Sequence, residues 1–119
     1  MTEPTDLLII DGANVVGSRP DGWWRDRAGA ARRLRDSLKG LDADEVVLVV
    51  EGAARGLEST EAVRVVSADG SGDDAIVDLV RDEGQGRQVV VVTADRGLRE
   101  RVKSLGADVR GPRSIRTPG

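Results

Sequence analysis

The sequence contains no cysteine, no histidine, no phenylalanine and no tyrosine. Without cysteine there are no disulfides, no thiolate nucleophiles and no cysteine zinc sites, and nothing requires an oxidising compartment. Without histidine, a Ser-His-Asp triad and a metal site built on two histidines are both excluded. Any catalysis must therefore depend on carboxylates, hydroxyls, Lys or Arg, backbone amides, or a metal held by oxygen atoms.

Long apolar segments are also missing. No apolar run approaches the ~20 residues that a membrane-spanning helix requires, and the first residues lack the basic-then-apolar order of a signal peptide. We therefore expect a cytoplasmic protein with no membrane partner. The length of 119 residues, with 39% hydrophobic and 33% charged residues, predicts one globular domain over 1–119. We place its core at about 6–112, with 113–119 as the candidate flexible tail.

Lysine is scarce, because Lys39 and Lys103 are the only lysines and the other 16 of the 18 basic residues are arginine. Arginine makes forked contacts with phosphate that lysine does not make. A GC-rich genome would produce the same bias, so arginine content alone does not decide whether nucleic acid is bound. The net charge of −3 does not exclude it, because the sum hides how the charges are arranged.

Short β-branched runs alternate with helical patterns along the chain. The continuous apolar runs predict buried strands of a parallel sheet that is covered on both faces, at 7–10, 46–50 and 89–92. A shorter and more exposed strand is predicted at 63–66, and a fifth strand starts near 108.

Apolar residues at helical spacing predict three helices, at about 27–39, 74–83 and 96–104. The connection 51–62 is short for a parallel crossover and is predicted to hold about one helical turn. Alternating strands and helices imply a three-layer, Rossmann-like α/β fold. Right-handed crossovers give the strand order 3-2-1-4-5, with a switch point beyond the carboxyl ends of strands one and four.

Acidic residues follow each of the first four strands: Asp11, Glu51, Asp73 with Asp74, and Asp95. The aspartates also have a structural explanation, because Asp11 suits an Asx turn, Asp73 or Asp74 suits the N-cap of the helix at 74–83, and Asp95 suits that of the helix at 96–104. Together, however, they reach one edge of the sheet, where like charges raise one another's pKa unless a cation separates them. With no His or Cys nearby, Mg²⁺ or Mn²⁺ is the natural counter-ion.

Three motifs resemble the NYN domain, a branch of the PIN-like nucleases: Leu8-Ile9-Ile10-Asp11-Gly12-Ala13-Asn14, Ser71-Gly72-Asp73-Asp74-Ala75-Ile76 and Val92-Thr93-Ala94-Asp95-Arg96-Gly97-Leu98. The match extends over about 7–112. The resemblance implies a Mg²⁺- or Mn²⁺-dependent ribonuclease in which Asp11 is the central metal ligand. Asn14 would orient that carboxylate or the attacking water, and Thr93 would hydrogen-bond within the site.

The same resemblance assigns the next carboxylates to Asp73 and Asp74 and the last to Asp95. Our hypothesis is that Asp11, Asp74 and Asp95 hold one ion, while Asp73 positions a second ion or the water. Related domains often carry Asp after strand two, whereas this chain has Glu51. We therefore keep Glu51 as a peripheral candidate.

Cations and aromatic rings near the acidic edge are the candidate substrate contacts, in the order Arg25, Arg96, Arg19, Arg99, Trp23 and Trp24. Arg99 is equally explained as part of a solvated helix face. Adjacent residues cannot both point inward, so at least one tryptophan ring should be exposed. An exposed ring would stack a base. The alternative is that one tryptophan packs over the sheet and the other marks a protein interface.

The leading interpretation is a metal-dependent ribonuclease acting on RNA. A structure-specific deoxyribonuclease is the rival enzyme, because carboxylate-metal chemistry does not itself distinguish the sugars. A non-catalytic RNA-binding or protein-interaction module on the same fold is the rival from another class. The sequence permits a homodimer, and it neither supports nor excludes an antitoxin or other protein partner.

Overall fold

The computed structural model describes residues 4–20 and 22–115 and contains one five-stranded sheet. The strands are β1 (Thr5–Asp11), β2 (Ala43–Val50), β3 (Arg64–Ser67), β4 (Val89–Val92) and β5 (Asp108–Arg110). Every neighbouring pair is parallel, and the order is β3-β2-β1-β4-β5. The predicted fold class and strand order are therefore confirmed.

Four α-helices connect the strands: α1 (Gly12–Gly17), α2 (Arg27–Ser37), α3 (Gly72–Glu83) and α4 (Arg96–Lys103). Single 3-10 turns lie at Trp23–Arg25, Gly52–Ala54 and Pro112–Ser114. The last three helices lie close to their predicted positions, and the 51–62 crossover holds one turn as expected. Sequence analysis did not identify α1, which is six residues long. In residues 4–20 and 22–115, no helix has the length and apolarity to cross a membrane.

The core has two layers, one on each face of the sheet. Along β1, Leu8 and Ile10 pack with α1 and α2, while Leu7 and Ile9 pack with α3 and α4. This alternation follows from the strand's two-residue period. Ile115 is also buried in the first layer, so the packed chain extends beyond the boundary predicted at 112. The rest of the predicted tail, 116–119, lies outside the described residues.

Gly12 allows α1 to begin directly after β1, against the neighbouring strand. A Cβ atom at Gly12 would lie 2.5 Å from the carbonyl oxygen of Val49 and 3.2 Å from a methyl carbon of Leu48. Val49 belongs to β2 and its backbone is fixed by the sheet, so it has little room to retreat. This close approach fixes the direction in which the chain leaves Asp11.

We expect Gly12→Ala to lower the free energy of unfolding by about 1–3 kcal/mol, because overpacking a closely packed contact distorts it. The matched control is Gly17→Ala in the same helix, where the added Cβ would meet nothing closer than 3.9 Å. Thermal unfolding in EDTA measures both. Equal melting temperatures for the two variants would contradict the close-contact explanation.

Candidate active site

Asp11 is the centre of the candidate site and lies at the carboxyl end of β1. It is only 6% exposed. Thr93 Oγ1 donates a hydrogen bond to Asp11 Oδ2 at 2.9 Å, and the backbone N–H of Asn14 donates to Oδ1 at 3.4 Å. Burial is the main cause that raises the pKa of Asp11, the two hydrogen bonds oppose it, and the charges of Asp73 and Glu51 raise it further. Because burial and the neighbouring negative charges disfavour the ionised form of Asp11, a cation bound beside this carboxylate would stabilise it.

Thr93 joins the two loops that meet at the switch point. Its side chain is fully buried at the end of β4, where Oγ1 donates to Asp11 and accepts from the N–H of Asp95 at 3.1 Å. In parallel, Asn14 Oδ1 accepts from the N–H of Ala94 at 2.9 Å. Side chains thus cross-link the loops after β1 and β4, two strands that the sheet order places side by side.

Asp73 and Asp74 begin α3 but have different surroundings. Asp73 is half-buried, and its pKa is raised by burial first and then by the charges of Asp95 and Glu51, against a lowering by Arg101. Asp74 is exposed, and its Oδ1 accepts a hydrogen bond from Arg101 Nη2 at 3.0 Å. The structure therefore brings Asp73 into the charge cluster around Asp11 and directs Asp74 towards α4.

Glu51 links the end of β2 to the start of α3 through a hydrogen bond. Its Oε2 accepts a hydrogen bond from the backbone N–H of Gly72 at 2.6 Å. A Cβ at Gly72 would come within 3.3 Å of that oxygen, so the glycine permits a close approach. Glu51 thus adds negative charge to the cluster and positions the helix that carries Asp73.

Asp11 and Asp95 act as helix caps, whereas neither Asp73 nor Asp74 caps α3. Asp11 caps α1 through the N–H of Asn14, and Asp95 caps α4 by accepting from the N–H of Leu98 at 3.0 Å. At α3 the cap is Ser71, whose hydroxyl oxygen accepts from the N–H of Asp74 at 3.3 Å. Capping and membership of the acidic cluster are therefore compatible for Asp11 and Asp95, because each carboxylate oxygen has two lone pairs and a hydrogen bond uses only one of them.

The donor set fits a hard divalent cation, but no ion site is preassembled. Carboxylate oxygens from four loops face the same edge, and oxygen ligands are those that Mg²⁺ and Mn²⁺ prefer. Within residues 4–20 and 22–115, however, no three acidic side chains are close enough together to hold a metal ion in their present conformations. Three carboxylates could share one ion only if side chains rotated towards Asp11, whereas one or two carboxylates could hold an ion that keeps several water ligands. The exposed Asp95 and the half-buried Asp73 are the candidates for such a rotation.

The candidate substrate contacts are not equally available. Arg96 is exposed at the first position of α4, and Arg25 is exposed with its guanidinium 5.9 Å from the centre of the Trp24 ring. Arg19 is half-buried after α1. Arg99 is also half-buried, and its Nε donates a hydrogen bond to the carbonyl oxygen of Thr93 at 2.7 Å. It therefore helps to position Thr93 and is not simply part of a solvated helix face.

The tryptophans differ as predicted, with one ring exposed. Trp24 is 57% exposed, whereas Trp23 is half-buried and packs on the core layer that contains α1 and α2. The rings meet edge to face with centroids 6.0 Å apart. Arg101, which pairs with Asp74, could not be singled out from the sequence, because nothing in its spacing separates it from Arg99 or Lys103.

No protein-family model and no curated protein sequence matches this chain. Among solved structures, it is similar to crystal structures of Rae1 (YacP) from Bacillus subtilis. One, of a tryptophan-to-leucine variant, has a TM-score of 0.73 and 20% identity, covering 93% of this chain and 72% of that one. The other has a TM-score of 0.71 and 21% identity, covering 92% and 70%. The chain therefore shares its α/β fold, with a parallel sheet of order β3-β2-β1-β4-β5, with Rae1.

Proposed function

We propose that this chain is a metal-dependent ribonuclease that hydrolyses RNA phosphodiester bonds beyond the carboxyl ends of β1 and β4. The observation that carries the proposal is the placement of Asp11, a buried carboxylate fixed by Thr93 and Asn14 and surrounded by acidic residues from other loops. The NYN-like motifs contain these same residues, and the fold shared with Rae1 supports the assignment.

A divalent ion bound at this edge would supply Lewis-acid stabilisation of the charge that develops on the phosphate. Asp11 is the primary ligand in the proposal, because its carboxylate is held in one orientation before any ion arrives. Asp73 and Asp95 complete the set, in preference to Asp74, whose carboxylate is already paired with Arg101. Asn14, Thr93 and Glu51 position the carboxylates and their loops.

The RNA backbone needs cations beside this acidic edge. Arg96 and Arg25 are the first candidates, since both are exposed, Arg96 at the start of α4 and Arg25 at the end of the Trp23–Arg25 turn. Arg99 acts in the proposal as a positioning residue, because its Nε is used by the carbonyl oxygen of Thr93. The exposed ring of Trp24 offers a stacking surface, and such contacts contribute about 1–3 kcal/mol per base.

The direct experiment is to incubate purified protein with end-labelled single-stranded RNA or DNA in Mn²⁺ or in EDTA. We expect RNA cleavage in Mn²⁺, complete loss in EDTA, and loss in Asp73→Asn. The matched control is Asp42→Asn, which changes an exposed aspartate just before β2, at the opposite edge of the sheet, and should cleave like the wild type.

The other possible results of this experiment either identify a different function or contradict the proposed mechanism. Faster cleavage of DNA than of RNA would identify a deoxyribonuclease. A rise in melting temperature with Mn²⁺ but no cleavage of either polymer would identify a binding module. Cleavage that persists in EDTA, or equally in Asp73→Asn, would contradict the proposed mechanism.

A further inference from the structure

A cavity of about 460 Å³ opens beside the acidic edge, between α1, α2 and the Gly52–Ala54 turn. Its walls are mainly apolar, and the residues that matter here are Val16, Trp23, Arg27, Ala31, Val50 and Ala53. The volume lies within the range of about 300–1,000 Å³ that is usual for small-ligand pockets. The catalytic proposal uses none of these six residues.

This cavity adjoins the acidic cluster. Gly12, Glu51 and Gly70 also line it. Gly12 follows Asp11 directly, and Glu51 holds the N–H of Gly72 at the start of α3. A group seated in the cavity would thus be next to a phosphate bound at Asp11.

We propose that this cavity receives an unpaired nucleobase of the RNA chain next to the scissile phosphate. The inference depends on the proposed ribonuclease function, and it adds a base site that the metal chemistry does not require.

The lining fits a base better than a charged or extended ligand. Trp23 presents a half-buried ring, and the guanidinium of Arg27 lies 5.5 Å from the centre of that ring. Aromatic rings and arginine planes are the surfaces on which proteins stack unpaired RNA bases. Most of the other lining side chains are aliphatic, and Glu51 already accepts a hydrogen bond from Gly72, so the walls contact the base mainly without reading its hydrogen-bonding edge. All four bases should therefore bind with similar affinity.

A paired base is held in its stack and would have to be extruded to enter, which costs a few kcal/mol in a duplex and much less in a single strand. The pocket thus favours single strands through its shape. A fully paired RNA duplex should bind and be cleaved more weakly than a single strand of the same sequence.

Intrinsic fluorescence gives a test that needs neither metal nor cleavage. Trp23 and Trp24 are the only aromatic residues, so Trp24→Leu leaves Trp23 as the sole reporter. Trp24 is largely exposed, which makes this substitution tolerable for the fold. In EDTA, we expect AMP, GMP, CMP and UMP each to quench Trp23, and ribose 5-phosphate to leave it unchanged.

A blocking variant makes the test specific to the cavity. Ala53→Leu, made in the Trp24→Leu protein, adds bulk from an exposed position on the cavity wall. The matched control is Ala62→Leu, an exposed alanine away from this cavity. We expect nucleotide affinity to fall about tenfold in the first and to stay unchanged in the second. Their melting temperatures verify that both remain folded.

The inference fails if no nucleotide quenches Trp23 at millimolar concentration, or if folded Ala53→Leu binds nucleotides as the control does. It also fails if duplex RNA is cleaved as fast as single-stranded RNA. Failure of the ribonuclease proposal is a separate result, because absent cleavage leaves the fluorescence titration informative. Cleavage without nucleotide binding would overturn the base site alone.

Discussion

Asp11→Asn is expected to reduce RNA cleavage by about 100- to 1,000-fold, the loss typical of removing one electrostatic contact at a catalytic centre. The amide has nearly the same shape, so the cavity around Asp11 stays filled, but the charge that would bind the ion is gone. Initial rates in Mn²⁺ measure the effect against Asp42→Asn as the control. A loss of less than about tenfold would leave Asp11 as a structural cap only.

The same substitution is expected to raise the melting temperature at neutral pH in EDTA. In the folded protein the pKa of Asp11 lies above its ordinary value of 3.8, because of burial and the facing charges of Asp73 and Glu51 and despite the hydrogen bonds from Thr93 and Asn14. A raised pKa means that this group favours the folded state below 3.8 and that the advantage is lost as pH rises through the folded pKa.

The wild type therefore carries an unfavourable charge at neutral pH that the variant lacks. The difference in melting temperature between the two proteins should be largest at neutral pH and should shrink as the pH falls towards 3.8. A lower melting temperature for Asp11→Asn at neutral pH would show that its hydrogen bonds outweigh the repulsion.

Thr93→Val is expected to have the second largest effect, on both stability and pH dependence. The substitution keeps the shape but removes the hydroxyl that donates to Asp11 and accepts from the N–H of Asp95. Leaving a buried carboxylate oxygen and a backbone N–H without partners should cost about 1–3 kcal/mol of the free energy of unfolding.

Loss of the same donor changes the titration of Asp11. Since the hydrogen bond from Thr93 lowers the pKa of Asp11, its removal raises that pKa further. The acidic limb of the cleavage rate should then move to higher pH. Thr93→Ser is the control, because it retains the hydroxyl. If Thr93→Val had the same free energy of unfolding and the same pH profile as Thr93→Ser, the hydrogen bonds of the Thr93 hydroxyl would contribute to neither property.

The sheet could be predicted because the strands are continuous apolar runs, and the handedness of parallel crossovers then fixes their order. Helix α1 could not be predicted in the same way. It has six residues, too few for a helical repeat, and its Val15 and Val16 are β-branched residues typical of strands. Only the packing of Gly12 against β2 shows how the chain turns there.

The general location of the site could likewise be predicted, since parallel strands deliver their carboxyl ends to one edge. The choice between Asp73 and Asp74 could not. Neighbouring residues on a helix point about 100° apart, so the choice depends on where α3 begins. The Ser71 cap and the hydrogen bond that the Gly72 N–H donates to Glu51 set that start. Both are tertiary or local contacts that spacing does not reveal.

The central claim is that Asp11 is a metal ligand, and anomalous diffraction from a crystal soaked in Mn²⁺ tests it most directly. We expect an anomalous peak in contact with a carboxylate oxygen of Asp11, shared with Asp73 or Asp95 after those side chains rotate inward. A well-ordered crystal with no peak at Asp11, or with manganese bound only at Asp74, would contradict it.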